Sequence, residues 1–97
     1  MPQIIVKKPS ENELKSLGVE RWSSWSCKKS TFDWTYDEDE TCYFQEGRVK
    51  VKTPDGTVEV RKGDLATFPK GLKCTWEVIE PIRKVYTFNL ACKNIKV

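Results

Sequence analysis

The chain has 97 residues, and its 17 lysines and arginines against 14 aspartates and glutamates give a net charge of +3 at pH 7. A chain of this length builds one hydrophobic core, so we predict a single domain over residues 1–97. It contains no histidine, which excludes Ser-His and Cys-His catalytic couples and histidine ligands to a metal. Any reaction chemistry must therefore use carboxylate, thiol, phenol or amine groups.

The N-terminus and the cysteines indicate an intracellular protein. Residues 1–6 lack the basic flank and the long apolar run of a signal peptide, and no later stretch is apolar enough to cross a membrane. We therefore expect a soluble, cytoplasmic protein with no membrane partner. The cysteines form no CxxC pair, which favours free thiols over disulfides or a zinc ribbon. They are Cys27, Cys42, Cys74 and Cys92.

The first predicted element is a short helix over 10–17. Ser10 and Glu13 have the S-x-x-E spacing of a capping box, and two leucines follow at helical spacing. Gly18 is a typical helix stop. We expect about two turns of helix before the main fold begins.

From residue 20 onward the chain predicts β-strands. Short alternating or aromatic runs are separated by glycine, proline and aspartate, an arrangement typical of an all-β sandwich or barrel. The predicted strands are 20–28, 30–34, 41–46, 48–52, 58–61, 65–68, 73–80 and 83–90.

The hairpin around the turn 53–56 is the best-defined pair of these strands. Both of its strands alternate with period two, and a slip of one residue would place valines opposite charged side chains. We therefore predict that Val49 lies opposite Val60 and Val51 opposite Val58.

Two runs near the C-terminus, 73–80 and 83–90, place aromatic residues at alternate positions. Pro81 lies between them, and we predict that it separates two strands. The residues that share a face are Cys74, Trp76 and Val78 in the first run, and Lys84, Tyr86, Phe88 and Leu90 in the second.

The spacing of residues 40–71 resembles that of the cupins, which are small jelly-roll barrels. Glu40, six residues and Gly47 match the end of the first cupin motif. The second motif is matched by Gly63, five residues and the tripeptide Pro-Lys-Gly that ends at Gly71.

More narrowly, the chain resembles the short single-domain cupins grouped with the (S)-ureidoglycine aminohydrolase cupin domain, also called cupin_3, and the EutQ-like proteins. The segment Trp34-Thr-Tyr-Asp and the segment from Phe68 to Trp76 carry this likeness. It implies an all-β, RmlC-like jelly-roll barrel over about residues 20–90, preceded by the short helix. Most members of this branch have no assigned function.

The resemblance places the four metal-ligand positions of cupins at Trp34, Tyr36, Glu40 and Cys74. Other cupins supply three imidazoles and one carboxylate there, a set that suits transition metals. In this chain Glu40 and Cys74 are the ordinary ligands that remain, because indole has no ligand lone pair and a phenol must first lose its proton. We therefore expect no bound metal and no cofactor.

Two interpretations of this pocket stay open. Aromatic side chains either fill a barrel that has lost its metal, or form the walls of a small-molecule site with Glu40 and Cys74 as its polar groups. A charged, unpaired Glu40 would be costly in an apolar barrel, so it needs a proton, water or a cation brought by a ligand. Glu40 facing Cys74 would keep that thiol protonated. The candidate ligand-binding residues are Trp34, Tyr36, Glu40, Cys74, Trp76 and Tyr86, with Trp25 as a further wall.

Three classes of function are compatible with these features: a cupin that binds or converts a small molecule, a nucleic-acid binder and an interaction protein. We favour a small-molecule binding protein, while an enzyme of aminohydrolase-like or isomerase-like type would use Glu40 as its acid or base. An OB-fold nucleic-acid binder would need Trp34 and Trp76 exposed for stacking on bases, and we expect no nucleic-acid partner. A non-catalytic interaction protein is the third class. Because cupins commonly pair through their sheets, we expect a homodimer, with residues 4–6 covering a sheet edge or a partner.

Overall fold

The computed structural model describes residues 4–89 of the chain, so Leu90 and Cys92 lie outside the described residues. One α-helix, one 3₁₀ turn and seven strands lie within this range, and no described helix has the length and apolar character needed to span a membrane. The elements are β1 (Ile5–Lys7), α1 (Glu11–Leu17), a 3₁₀ turn (Val19–Arg21), β2 (Ser23–Cys27), β3 (Ser30–Thr35), β4 (Glu40–Thr53), β5 (Gly56–Arg61), β6 (Leu65–Phe68) and β7 (Lys73–Phe88).

The predicted capping box forms at the start of α1. The Ser10 hydroxyl accepts from the backbone N–H of Glu13, and the Glu13 carboxylate accepts from the backbone N–H of Ser10, each at 3.1 Å. Gly18 ends the helix in the left-handed region with φ 70°. The prediction that a strand begins at residue 20 was wrong, because the Gly18 carbonyl accepts from Arg21 N–H and starts a 3₁₀ turn instead.

Two long strands organise the sheet, and all pairings are antiparallel. The first part of β4 lies between β6 and the end of β7, whereas its second part lies between β5 and the start of β7. Strand β7 likewise pairs with β3 through its first part and with β2 through its last part. The sheet therefore consists of two halves that share β4 and β7.

The bend between the halves lies where Gly47 crosses Pro81. The β4–β7 register shifts around this point, with Glu46 opposite Arg83 and Arg48 opposite Glu80. Gly47 has φ 95°, and a Cβ added to it would lie 2.1 Å from the Pro81 carbonyl oxygen. The prediction that Pro81 separates two strands was wrong, because a proline is tolerated at a bulge that leaves it outside the regular ladder. The prediction of two separate strands at 41–46 and 48–52 was also wrong, because β4 continues through the same bulge at Gly47.

The hairpin register is confirmed. Val49 pairs with Val60 and Val51 with Val58, so the valines share the inner face. Strand β1 pairs with β6 at the edge of the sheet, which confirms that residues near the N-terminus cover an edge.

The hydrophobic core lies between the two halves of the sheet. Trp76 of one half meets Phe44 and Phe68 of the other at ring-centroid distances of 6.1 and 5.7 Å. The predicted inward face of 73–80 is confirmed, since Cys74, Trp76 and Val78 are all buried. This packing leaves a cavity bordered by β2, β3, β4 and β7, where the candidate site lies.

Candidate functional site

An aromatic cavity of about 240 Å³ lies among the described residues. At the volume that one molecule occupies in liquid water, this space corresponds to roughly eight water molecules. Seven of its nine described lining residues are aromatic, and the other two are Glu40 and Lys84. The aromatic lining consists of Trp25, Phe32, Trp34, Tyr36, Trp76, Tyr86 and Phe88.

Glu40 and Lys84 form a buried ion pair in this cavity. Glu40 begins β4 and Lys84 lies in the adjacent part of β7, with Lys84 Nζ 2.8 Å from Glu40 Oε2. Their side chains are 9% and 6% exposed. Cys42 completes the cluster, because its thiol donates to Glu40 Oε2 at 3.1 Å and its sulfur accepts from Lys84 Nζ at 3.1 Å. The acidic residue is thus paired with a cation of its own chain.

Three aromatic rings surround the Lys84 ammonium. Its Nζ lies 5.1 Å from the ring centroids of Trp25 and Trp76 and 5.4 Å from that of Tyr86, within the range of cation–π attraction. Burial acts to lower the pKa of Lys84, but the neighbouring Cys42 and Glu40 outweigh it and raise this pKa above its ordinary value. Lys84 is therefore protonated at neutral pH, where it is a cation and a hydrogen-bond donor.

The neighbouring thiols and phenol keep their protons. Burial raises the pKa of Cys42 to about 12, despite the nearby Lys84, which acts to lower it. Burial raises the pKa of Tyr36, and the neighbouring Cys42 and Glu40 act in the same direction. Burial also raises the pKa of Cys74. None of these three groups is an anion at neutral pH, so Glu40 is the partner that balances the Lys84 charge.

Some polar atoms of the cavity have no partner among the described residues. Both hydrogen bonds to the Glu40 carboxylate end on Oε2, and no described group donates to Oε1. The indole N–H of Trp76 is buried beside Tyr36 and Cys74 without making a hydrogen bond of normal geometry. Glu40 lines the cavity, so its Oε1 is the place where a bound molecule would add a hydrogen bond.

The structure brings most of the sequence-predicted residues together. Tyr36, Glu40 and Trp76 are buried in the cavity wall, and Tyr86 is partly buried there. The expected inward position of Trp34 is only partly met, because this residue is 50% exposed at the rim. It lies near the end of β3, where Phe32 is the one strand residue that is not exposed.

Cys74 does not lie with the other predicted residues. It is not among the described lining residues, and its thiol donates to the backbone carbonyl of Trp34 at 3.7 Å. The thiol that contacts Glu40 is Cys42, so the expectation that Glu40 faces Cys74 was wrong. Cys42 follows Glu40 by two positions on one strand face, whereas Cys74 lies on β7 opposite Trp34.

Lys84 is the residue of the candidate site that sequence reasoning missed. The alternation of 83–90 already placed it on one face with Tyr86 and Phe88, and a lysine on an aromatic face is unusual enough to indicate a buried partner. Phe32 and Phe88 were also missed as lining residues. They carry no polar group that would distinguish them from core side chains.

The cavity does not fit a divalent metal ion. Lys84 occupies the cation position beside Glu40, and Tyr36 and Cys74 hold protons that a metal ligand would have to lose. Within residues 4–89, no group of three or more Cys, Asp and Glu side chains is arranged to hold a metal ion.

Comparisons with known proteins relate this chain to one family. Residues 14–86 match the EutQ-like cupin domain, Cupin_3. The solved structure of a DUF861 family protein from Thermotoga maritima is 50% identical and has a TM-score of 0.87, with 89% of this chain and 99% of that chain covered. The EutQ protein of Clostridium difficile is 26% identical with a TM-score of 0.62, over 88% of this chain and 66% of that chain.

A curated relative extends well beyond the matched region. The protein called acetate kinase EutQ from Clostridioides difficile is 34% identical over 59 residues. These residues are 61% of this chain and 38% of that protein. The match thus spans less than half the length of that relative.

Proposed function

The chain belongs to the EutQ-like cupin family, and we propose that it binds a small organic molecule, without a metal, in the aromatic cavity around Glu40 and Lys84. One observation carries this proposal: a cavity of about 240 Å³ with aromatic walls retains a carboxylate oxygen to which no described residue donates. Sites for small molecules are typically apolar concavities with a few convergent polar groups.

The buried ion pair supports a binding role over that of a filled core. Two charges taken out of water are costly, and apolar residues of similar volume usually serve stability as well or better. A barrel filled for stability alone would gain little from Glu40 and Lys84. In a binding site the pair holds one carboxylate oxygen in a defined position beside the aromatic walls.

The test uses the indole N–H signals of the four tryptophans in ¹⁵N-labelled protein treated with a chelator. A library of small, polar aromatic and aliphatic fragments is titrated, and native mass spectrometry checks for a molecule that is purified with the protein. We expect fragments to shift the signals of Trp25, Trp34 and Trp76, which line the cavity. The signal of Trp22, which is not among the described lining residues, should not shift.

Trp34→Ala is the variant that tests the location of binding. Trp34 is half exposed at the rim, so its loss should weaken fragment binding by about tenfold with little effect on folding. Ile5→Ala, at an exposed apolar residue on β1, is the matched control and should bind normally. Absence of any fragment that shifts the cavity signals, or one equivalent of a divalent metal in protein purified without added metal, would overturn the proposal.

Catalysis by Glu40 is a second candidate function. The free Oε1 at the cavity favours it, because an oxygen without a donor can exchange a proton with a bound molecule. Fragments that bind are incubated with the protein, and product formation is compared with that of Glu40→Gln at a temperature where tryptophan fluorescence shows the variant to be folded. Turnover by the unmodified protein that the variant lacks would establish the enzymatic role, and unchanged fragments would exclude it for those compounds. We do not extend the kinase activity named for the curated relative to this chain, because the match covers 38% of that protein.

A further inference from the structure

We propose that the cavity selects electrically neutral aromatic molecules that carry an O–H or N–H donor, such as phenols and N–H azoles or indoles, over their charged or donor-free analogues. This inference rests on the proposed function, because it names the ligand class of the same cavity.

The charge of the cavity excludes charged ligands. Glu40 and Lys84 are the charged groups among its described lining residues, and they are bound to each other at 2.8 Å. A cation at Glu40 would lie close to the Lys84 ammonium, and an anion would meet the Glu40 carboxylate. In a buried site such like-charge contacts are strongly unfavourable, and a ligand without charge avoids both.

The hydrogen-bonding groups require a donor on the ligand. Glu40 Oε1 is a carboxylate oxygen, which accepts and cannot donate while Glu40 is ionised. Oε2 already accepts from Cys42 and Lys84. A ligand that offers no O–H or N–H leaves Oε1 without a partner after the cavity water is displaced, which costs the desolvation of a charged acceptor.

The aromatic walls require a flat, apolar body. Phe32 lies roughly parallel to Trp76, whereas Trp25 lies edge-on to it. Offset-stacked and edge-to-face contacts are the arrangements that aromatic rings prefer. Trp34 and Phe88, 50% and 42% exposed, provide further ring surface at the rim.

The experiment compares probes that share one ring. Phenol, anisole, benzoate and benzylammonium are titrated at neutral pH into the full chain. Their binding is measured from the shifts of the tryptophan indole N–H signals. Indole and 1-methylindole form a second pair that differs in the donor alone. We expect phenol and indole to bind about tenfold or more tightly than their methylated partners, since a hydrogen bond to a charged group is strong enough for that ratio. Benzoate and benzylammonium should bind more weakly than phenol by at least the same factor.

A paired variant then assigns the selectivity to the ion pair. Glu40→Leu combined with Lys84→Met keeps the cavity neutral and apolar, so both methylated probes should still bind while the preference for phenol over anisole disappears. If the double variant does not fold, the probe ratios in the unmodified protein still decide the inference.

The outcomes separate this inference from the proposed function. Equal binding of phenol and anisole at Trp25, Trp34 and Trp76 would overturn the ligand class and leave the binding site standing. Binding of benzoate or benzylammonium as tight as that of phenol would likewise overturn the ligand class and leave the binding site standing. If no probe shifts these signals while other fragments do, the ligand class is again wrong. If nothing shifts them, both proposals fall.

Discussion

Replacement of Glu40 by glutamine should destabilise the protein far more than the same change at an exposed ion pair. Glu40→Gln keeps the size of the side chain but leaves the Lys84 ammonium, 6% exposed, without its counter-charge. Breaking a buried pair in this way costs about 3 to 5 kcal/mol. For a domain of this size that loss corresponds to a fall in melting temperature of roughly 12 °C or more.

The chain offers a matched control in the same two strands. Glu46 of β4 and Arg83 of β7 form an ion pair at 2.6 Å, but their side chains are 59% and 51% exposed. Glu46→Gln should therefore cost less than about 1 kcal/mol. High salt should weaken the Glu46 pair and leave the buried pair nearly unchanged, because solvent ions screen exposed charges.

Urea unfolding followed by tryptophan fluorescence measures both variants. Lys84→Met and the double variant Glu40→Gln/Lys84→Met complete a cycle. The double variant should be more stable than the sum of the single losses predicts, by about 2 kcal/mol, because it removes the unpaired ammonium. If Glu40→Gln costs no more than Glu46→Gln, or if the cycle shows no coupling, the buried ion pair does not form and the argument for the site fails.

Three further predictions concern the glycine crossing, the buried thiol and the helix cap. Gly47→Ala should destabilise by at least about 2 kcal/mol more than Gly63→Ala. The two glycines have similar φ angles, 95° and 93°, but only at Gly47 would the new Cβ meet backbone, at 2.1 Å from the Pro81 carbonyl oxygen. Equal losses in urea unfolding would contradict this. The unfolded chain loses the Cys42 proton before the folded chain, whose Cys42 pKa is about 12, so stability should fall between pH 9 and 12. The Cys42 thiol should contribute about 1.4 kcal/mol per pH unit to this fall in the free energy of unfolding. Cys42→Ala should therefore make the dependence of stability on pH shallower by that amount. An unchanged dependence would show that the Cys42 thiol is accessible to solvent. Ser10→Ala should cost about 1 kcal/mol through the lost cap while Ser16→Ala, at an exposed position within α1, costs nothing, and equal thermal melts would refute the capping role.

Local pattern was sufficient for much of the fold. The capping box at Ser10, the stop at Gly18 and the register of Val49 against Val60 all depend on residues close in the chain. The spacing from Glu40 to Gly47 carried the family resemblance. The structure supplies a physical reason for that glycine, since the Pro81 carbonyl leaves no space for a side chain.

Local pattern failed where distant segments meet. Pro81 indicates a break when its own segment is considered alone, but β4 provides a bulge that lets β7 run through it. Cys74 matched a ligand position by spacing, yet the packing of β7 against β3 directs its thiol to the Trp34 carbonyl.

The sequence by itself determined the all-β class, the lack of histidine and most of the aromatic residues that line the cavity, though not Phe32 and Phe88. It also required a proton, water or a cation for Glu40, because an unpaired carboxylate is too costly in an apolar barrel. Only the tertiary structure decided that the partner is a cation of the chain itself. Lys84 lies 44 residues from Glu40, and the antiparallel pairing of β4 with β7 brings the two side chains within 2.8 Å. Contacts across a sheet depend on register over the whole fold, which no short spacing in the chain encodes.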